Sequence, residues 1–272
     1  MVNSLFDITG KKAIVTGGTS GIGKATALAL RHAGCTVYEL SRRAEGTEGL
    51  HHISADVTDE RAVRDAVAQV MAAEGQIDIL VNNAGFGISG AIECTETEDA
   101  KKLFDVNFFG MVNMNRAVVP LMRQAGRGRI VNLSSVAAPV PIPFQAYYSA
   151  TKAAVNAYSM ALANELRPFG VTVCAVMPGD IRTGFTAARK KIVTGDDIYH
   201  GRISRSVQRM EHDEETGMEP AKAGAYIASV ALRDGSRHPL YAIRFDYKFF
   251  TFLAKVLPAR FLNWLIYCLY GK

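Results

Sequence analysis

The chain has 272 residues, of which 49% are hydrophobic and 21% are charged, and this globular composition excludes a disordered protein. The net charge of +5 arises from Arg233 onward, where seven Lys and Arg face two Asp and Glu, while the residues before it balance. A nucleic-acid-binding protein would carry its basic surface in the main body, so this distribution favours an anionic membrane or a protein partner over nucleic acid.

The N-terminal residues lead into the first predicted strand without a signal-peptide pattern. Four cysteines are widely separated and form no CxxC pair, so the sequence predicts neither disulfides nor a metal site. They are Cys35, Cys94, Cys174 and Cys268. We therefore expect a reducing, cytoplasmic location.

Short apolar runs alternate with helical patterns along the chain. Strands are predicted at residues 12–16, 36–41, 51–55, 79–82, 129–133 and 171–177. Helices are predicted at residues 21–33, 59–74, 97–124 and 146–168. This alternation predicts an α/β fold in which a parallel sheet is covered by helices on both faces. We predict one domain over residues 1–246, with an insertion at residues 184–219 and a tail at residues 247–272.

The glycine-rich sequence TGGTSGIG at residues 16–23 follows the first strand and precedes a helix. Its glycines permit a tight turn and a close approach to a pyrophosphate, and the helix N-terminus offers unpaired N–H groups to the phosphates. The spacing is neither GxGxxG nor a Walker loop. The residues that we expect at the phosphates are Gly17, Thr19, Ser20, Gly21, Ile22 and Gly23.

The end of the second strand indicates which cofactor binds. NAD sites usually place an Asp or Glu there for the ribose hydroxyls, whereas this chain has Ser41, Arg42 and Arg43. A guanidinium suits a 2′-phosphate, so we predict NADP(H), with Arg42 as the main contact and Ser41 or Thr19 assisting. The alternative is that both arginines are ordinary solvated charges.

Tyr148 and Lys152 are four residues apart in a predicted helix, so they share one of its faces. An ammonium beside a phenol stabilises the phenolate and lowers the pKa of the tyrosine. Such a tyrosine transfers protons near neutral pH.

With these motifs the chain resembles the short-chain dehydrogenase/reductase family over about residues 9–243, most closely its NADP-dependent members of the hydroxysteroid or retinol dehydrogenase kind. The resemblance implies a Rossmann-like doubly wound sheet of about seven strands. The matching motifs are TGGTSGIG at 16–23, Asp56-Val57, NNAG at 82–85, Asn107, Ser134-Ser135, YSATK at 148–152, and Pro178-Gly179 with Thr183.

The resemblance implies a role for each catalytic residue. Tyr148 would protonate the carbonyl oxygen during reduction, and Lys152 would lower the pKa of Tyr148 and bind the nicotinamide ribose. Ser135, preferred to Ser134 because it lies 13 residues before Tyr148, would hold the substrate oxygen. Asn107 would hold a water in a proton relay that reaches Lys152.

The resemblance also implies further cofactor contacts. Asp56 and Val57 would meet the adenine, and Asn83, Ala84 and Gly85 would line the cofactor cleft. Pro178, Gly179, Ile181 and Thr183 would surround the nicotinamide, with Thr183 at its carboxamide. Asn82 and Asn83 also have a structural alternative, because their amides can tie neighbouring strands together.

The insertion and the tail depart from the strand–helix alternation. The insertion follows the sixth strand and would lie at the carboxyl edge of the sheet, where ligands bind. Its basic run, residues 189–191, would hold a phosphate or CoA, or would be the solvated surface of a lid. The tail reads as two short amphipathic helices separated by Pro258, with Lys248 and Lys255 opposite the apolar face. It is too interrupted by charge to span a membrane.

The tail has three interpretations: it packs on its own domain or a second subunit, it lies in a membrane interface, or it covers the substrate pocket. We predict an NADP(H)-dependent enzyme that interconverts a ketone and a secondary alcohol on a lipophilic substrate such as a steroid, retinoid or lipid-derived carbonyl. The alternatives are a 3-oxoacyl thioester or sugar reductase, and a cofactor-binding scaffold or sensor. The resemblance further implies a homodimer or homotetramer. The charge distribution predicts no nucleic-acid partner, and the amphipathic tail allows peripheral membrane contact.

Overall fold

The computed structural model describes residues 10–233 and 235–271. Residues 1–9, where we predict no signal peptide, lie outside the described residues, as do Asp234 and Lys272. The strands are β1 (Lys12–Thr16), β2 (Thr36–Ser41), β3 (His51–Ser54), β4 (Ile79–Asn82), β5 (Ile88–Ser89), β6 (Gly128–Leu133), β7 (Val171–Met177), β8 (Lys190–Lys191) and β9 (Leu240–Ala242). The helices are α1 (Gly21–His32), α2 (Glu60–Glu74), α3 (Thr97–Phe104), α4 (Gly110–Ala125), α5 (Ala146–Leu166), α6 (Phe185–Ala188), α7 (Arg202–Glu215), α8 (Pro220–Ala231), α9 (Phe245–Val256) and α10 (Ala259–Tyr270).

Seven strands form one sheet in the order β3-β2-β1-β4-β6-β7-β9, with every neighbouring pair parallel. The chain first builds outward from β1 to β3 and then crosses to β4 on the other side of β1. This reversal is the switch point where open α/β sheets bind ligands beyond the carboxyl ends of their strands. The predicted Rossmann-like, doubly wound fold is therefore confirmed. β9 and the small sheet of β5 and β8 were not predicted.

The sheet is buried on both faces because successive side chains of a strand point to opposite sides. Ala13 and Val15 of β1 pack in a core with α1 and α8, while Ile14 packs in a second core with α2, α4 and α5. Strands that are covered on both faces need nearly continuous apolar sequence, which is the pattern that predicted them.

The helix predicted over residues 97–124 is interrupted. α3 ends at Phe104, a π-helical turn occupies Asp105–Phe109, and α4 begins at Gly110. This turn contains Asn107, and single π turns are frequent at functional sites. The apolar pattern of the sequence does not reveal the turn, because one wide turn changes the phase of the helix only slightly.

The insertion and the tail both fold as helical segments. Residues 184–219 contain α6, β8 and α7, and β8 pairs with β5 at the edge of the domain. The tail consists of α9 and α10, separated at Pro258 as predicted. None of the helices within the described residues has the length and apolar character needed to cross a bilayer.

Candidate active site

A cavity of about 370 Å³ lies at the carboxyl edge of the sheet, where the loops after β1, β4, β6 and β7 meet. Three predicted catalytic residues line it, namely Ser135, Tyr148 and Lys152. The predicted cofactor residues in its wall are Gly17, Ser20, Gly21, Ile22, Arg43, Asn83, Ala84, Gly85, Pro178, Gly179, Ile181 and Thr183. Segments separated by more than a hundred residues are thus brought to one place.

Tyr148 and Lys152 lie in the first turns of α5 on the face directed at this cavity. The Lys152 Nζ lies 5.7 Å from the centroid of the Tyr148 ring and donates a hydrogen bond to the Leu133 carbonyl at 2.8 Å. The Tyr148 ring also makes an edge contact with Phe185 of α6, with the ring centroids 5.7 Å apart. The pair is therefore held between the end of β6 and the start of the insertion.

The protonation of this pair is governed by burial. Burial raises the pKa of Tyr148 to about 12, against a hydrogen bond from Ser135 that lowers it. This differs from the lowered pKa that the sequence suggested, because desolvation of the phenolate outweighs the attraction of nearby charges. Burial also lowers the pKa of Lys152 to about 8. At neutral pH Tyr148 is therefore a protonated donor and Lys152 is mostly charged.

The two adjacent serines have different partners. The Ser135 Oγ accepts a hydrogen bond from the Ala137 N–H at 3.1 Å and interacts with Tyr148. The Ser134 Oγ donates to the carbonyl of Lys152 at 3.0 Å and so ties the end of β6 to α5. Ser135 is thus arranged to meet a substrate oxygen beside Tyr148, whereas the hydroxyl of Ser134 is used in the scaffold.

Asn107 lies behind the cavity wall. Its Oδ1 accepts from the Phe86 N–H and its Nδ2 donates to the Phe86 carbonyl, both at 3.0 Å. The Nδ2 also lies 3.3 Å from Thr151 Oγ1, next to Lys152. The side-chain amide of Asn107 is therefore engaged within the protein.

The glycine-rich loop fits a dinucleotide phosphate. Gly17 and Gly21 have φ of +66° and +52°, which disfavour side chains, and a Cβ at Gly23 would clash with the Gly17 carbonyl. Ser20 caps α1 without a side-chain hydrogen bond, so the first N–H groups of the helix remain available to an anion. Asn83 fixes the loop by donating to the Thr16 carbonyl at 2.9 Å.

The adenosine end is more open. Arg42 is 73% exposed and its Nη1 lies 4.0 Å from Asp56, so the guanidinium is accessible to a ligand phosphate. Val57 is buried, and a Cβ at Gly110 would clash with its side chain. The predicted residues outside the concave cavity are Thr19, Gly23, Ser41, Arg42, Asp56, Val57 and Asn107.

The sequence did not predict the pair of Glu39 and His52, which lies next to the adenosine end. Glu39 of β2 is fully buried, and its Oε1 lies 2.7 Å from the His52 Nδ1. The His52 Nε2 donates to the Arg43 carbonyl at 2.9 Å, since a carbonyl only accepts. Gly18 of the phosphate loop lies directly on Glu39, where a Cβ would clash. The pair therefore links the phosphate loop to the segment that carries Arg43.

The basic run of the insertion is neutralised by carboxylates. The buried side chain of Arg189 pairs with Glu214, and Lys191 pairs with Glu211. Lys190 pairs with Asp99 of α3 at 2.6 Å. The run therefore holds the insertion in place and presents no free anion site.

The sequence did not predict the residues at the end of the cavity where the loop after β7 meets α7 and α10, which we call the substrate end. Asp180 lines it directly after Gly179, and the Tyr247 hydroxyl of α9 donates to its Oδ2 at 2.7 Å. Glu214 and Tyr270 line the same end, and the Tyr270 hydroxyl donates to Asp213 at 3.1 Å. The one available signal was a charged residue between Gly179 and Ile181 in a loop already assigned to the cofactor.

Comparisons with known proteins agree with this geometry. The family model for short chain dehydrogenases matches residues 11–193. The 3-ketodihydrosphingosine reductase of Bacteroides thetaiotaomicron is 43% identical over 223 residues, 81% of this chain and 83% of that protein. The NADPH-dependent 1-acyldihydroxyacetone phosphate reductase of Schizosaccharomyces pombe is 39% identical over 180 residues, 64% of this chain and 60% of that protein. The crystal structure of a short-chain dehydrogenase from Streptomyces avermitilis superposes with a TM-score of 0.84 at 33% identity, covering 96% of this chain and 98% of that one.

Proposed function

We propose, because this chain belongs to the short-chain dehydrogenase/reductase family, that it reduces the ketone of a long-chain lipid to a secondary alcohol with NADPH. Membership of the family makes the chain an oxidoreductase of carbonyl and alcohol groups that uses a nicotinamide cofactor. The observation that carries the proposal is that Ser135, Tyr148 and Lys152 share one cavity with a phosphate-binding loop.

The mechanism follows from the protonation of these groups. The phosphate loop and the cavity wall would hold the nicotinamide cofactor, which when bound would supply the hydride. Ser135 holds the substrate oxygen as negative charge develops on it, and Tyr148 gives its proton to that oxygen. The charge of Lys152 stabilises the phenolate that remains, and Asn107 would hold a water that returns the proton.

The preference for NADPH rests on the end of β2. Ser41 stands where NAD-preferring members of such folds carry an acid, and the exposed guanidinium of the adjacent Arg42 suits a 2′-phosphate. One relative is named as NADPH-dependent, which supports the same choice.

The lipid character of the substrate is supported by the relatives, whose names describe reduction of ketodihydrosphingosine and of acyldihydroxyacetone phosphate. These names favour a long acyl or alkyl chain over the steroids and retinoids that the sequence suggested. A thioester or sugar reductase is less favoured, because the basic run expected to hold a phosphate or CoA is paired with carboxylates. A scaffold has no need of the complete set of Ser135, Tyr148 and Lys152.

Membrane contact through the tail is part of the proposal. α9 and α10 leave a row of large apolar side chains exposed, among basic residues that include Lys248 and Lys255. They are Phe245, Phe249, Phe250, Phe252, Val256, Phe261, Trp264, Tyr267 and Leu269. Aromatic and basic side chains together suit the interface of an anionic bilayer. We further propose a cytoplasmic protein that associates with the membrane and assembles as a homodimer or homotetramer.

Consumption of NADPH tests the enzymatic proposal. Long-chain ketones should oxidise NADPH faster than NADH, and Tyr148→Phe should abolish turnover while the protein still binds NADPH. Turnover of sugars or 3-oxoacyl thioesters alone would refute the lipid assignment. Wild-type activity that survives in Tyr148→Phe would refute the catalytic assignment.

Binding to anionic phospholipid vesicles tests the membrane proposal. Replacing both Phe252 and Trp264 by Ser should weaken binding, because each exposes about half of its surface on the tail. Phe169→Ser removes an exposed aromatic outside the tail and should leave binding unchanged. Equal binding by all three proteins would refute the proposal, and a loss of self-association in the double variant alone would assign the tail to a subunit interface.

A further inference from the structure

The two relatives named above differ in the charge beside the ketone. Ketodihydrosphingosine carries an amino group on the carbon next to the carbonyl, whereas acyldihydroxyacetone phosphate carries a phosphate ester there. A protonated amine is bound by a carboxylate, and a phosphate is bound by Arg or Lys. The charges at the substrate end of the cavity therefore distinguish between these two classes.

The cationic side chains near this end are already engaged. Among the described residues that line the cavity, the cations are Arg43, at the adenosine end, and Lys152, which belongs to the catalytic pair. Arg189 lies close by and its Nη2 pairs with Glu214, while its Nε and Nη1 have no hydrogen-bond partner. Its side chain is fully buried and is not part of the cavity lining. A phosphate next to the reacting carbonyl would therefore find no free cation of the insertion.

Asp180 has the opposite character. It lines the cavity, and within the described part of the chain no Lys or Arg forms an ion pair with it. The charge of Arg244 acts on it from a greater distance, but Arg244 pairs with Asp246. Burial raises the pKa of this carboxyl, and its negative charge contributes to the raised pKa of Tyr148. The charge of Asp180 therefore acts on Tyr148 within the same cavity. A bound cation would compensate for the loss of hydration of the Asp180 carboxylate.

The carboxylate is held in a fixed orientation. The Tyr247 hydroxyl donates to Asp180 Oδ2 at 2.7 Å and accepts from the Asp180 N–H at 2.9 Å. The Tyr247 ring packs closely against Gly179, where a Cβ would clash with it. Burial and the nearby charge of Asp180 raise the pKa of Tyr247, so it remains a hydrogen-bond donor. One hydrogen bond to the carboxylate, a second to the backbone N–H of the same residue and a packed ring are more than a solvated surface residue has.

We propose that Asp180 determines specificity by binding a protonated amino group next to the reacting carbonyl, so that the substrate is a long-chain 2-amino ketone. This inference rests on the proposed ketone reductase activity. It names Asp180 as a substrate-binding residue and Tyr247 as the residue that positions it.

The test compares two ketones of equal chain length, one with a 2-amino group and one with a 2-hydroxyl group, which is neutral and of similar size. Wild-type kcat/KM with NADPH should be about 10- to 100-fold higher for the amino ketone, as expected for a desolvated charge pair. Asp180→Asn should reduce this ratio by a similar factor, mainly through KM for the amino ketone. Tyr247→Phe should lower the ratio in the same direction by a smaller factor.

Asp65→Asn is the matched control, because Asp65 is an exposed carboxylate of α2 outside the cavity, and it should leave the ratio unchanged. Wild-type protein that reduces both ketones equally would overturn the inference and leave the proposed function intact. The same holds if Asp180→Asn lowers both activities by one factor. Wild-type protein that reduces neither ketone would overturn the proposed function itself. If Asp180→Asn does not fold, the wild-type ratio and Tyr247→Phe decide the question.

Discussion

The buried charge of Lys152 is expected to lower the free energy of unfolding of the protein. Burial lowers its pKa from 10.5 to about 8, and at about 1.4 kcal/mol per pKa unit the charged form costs the folded state about 3 kcal/mol. Lys152→Met keeps the volume of the side chain and removes this cost. It also removes the hydrogen bond to the Leu133 carbonyl, worth about 1 kcal/mol. The variant should therefore be inactive and about 2 kcal/mol more stable at pH 7.

The pH dependence identifies the cause of this stabilisation. Below pH 8 the lysine is charged in both the folded and the unfolded chain, so the wild type bears the whole cost. Between about pH 8 and 10.5 the unfolded chain binds more protons than the folded one, so wild-type stability rises with pH. The advantage of Lys152→Met should therefore be greatest at pH 7 and should shrink toward pH 10.

Thermal unfolding measures this effect. For a chain of this size, 2 kcal/mol corresponds to a Tm increase of roughly 5 °C. Lys102→Met is the control, because Lys102 is an exposed lysine of α3 and should change Tm little. A Tm of Lys152→Met below that of the wild type at pH 7, or an increase that does not depend on pH, would refute the reasoning.

Four further substitutions test the cofactor and catalytic assignments. Arg42→Asp should raise KM for NADPH about 10- to 100-fold and improve the use of NADH, since an acid repels a 2′-phosphate; an unchanged NADPH/NADH preference in steady-state kinetics would contradict the assignment. Ser135→Ala should lower kcat about 10²- to 10³-fold, whereas Ser134→Ala should mainly lower Tm, and the reverse outcome would exchange their roles. His52→Leu removes the partner of the Arg43 carbonyl and leaves Glu39 with only the Thr47 N–H, so KM for NADPH should rise more than kcat falls. A KM equal to that of the wild type would show that the pair does not position Arg43.

The parts of the site that the sequence predicted are local in the chain. The phosphate loop is contiguous, and its conformation depends on glycines and on the helix that follows it. Tyr148 and Lys152 are joined by the geometry of a single helix, so their spacing is sufficient to place them on one face. The order of strands and helices predicted the parallel sheet, and the carboxyl edge of such a sheet then fixed where these motifs meet.

The parts that the sequence did not predict depend on pairing between distant segments. Tyr247 meets Asp180 across 67 residues, and His52 meets Glu39 only because β2 and β3 are neighbours. The basic residues of the insertion find carboxylates on α3 and α7, which the sequence presents merely as a basic stretch followed by an acidic one. No spacing rule predicts such contacts from the sequence. They arise from the packing of helices and strands whose relative positions the local sequence pattern does not determine.

The three interpretations of the tail are compatible once its two sides are distinguished. Its inner side belongs to the active site, because Tyr247 holds the loop after β7 and Tyr270 lines the cavity. Its outer side carries the exposed aromatic row that we assign to the bilayer. An amphiphile with its ketone at Tyr148 and its amino group at Asp180 would lie along the apolar walls formed by Met210 and Tyr270. The segment that positions the polar head would then be the one that contacts the membrane in which the substrate dissolves. Deleting the tail would therefore remove both functions at once, which is why replacing exposed aromatic side chains is more informative than deleting the segment.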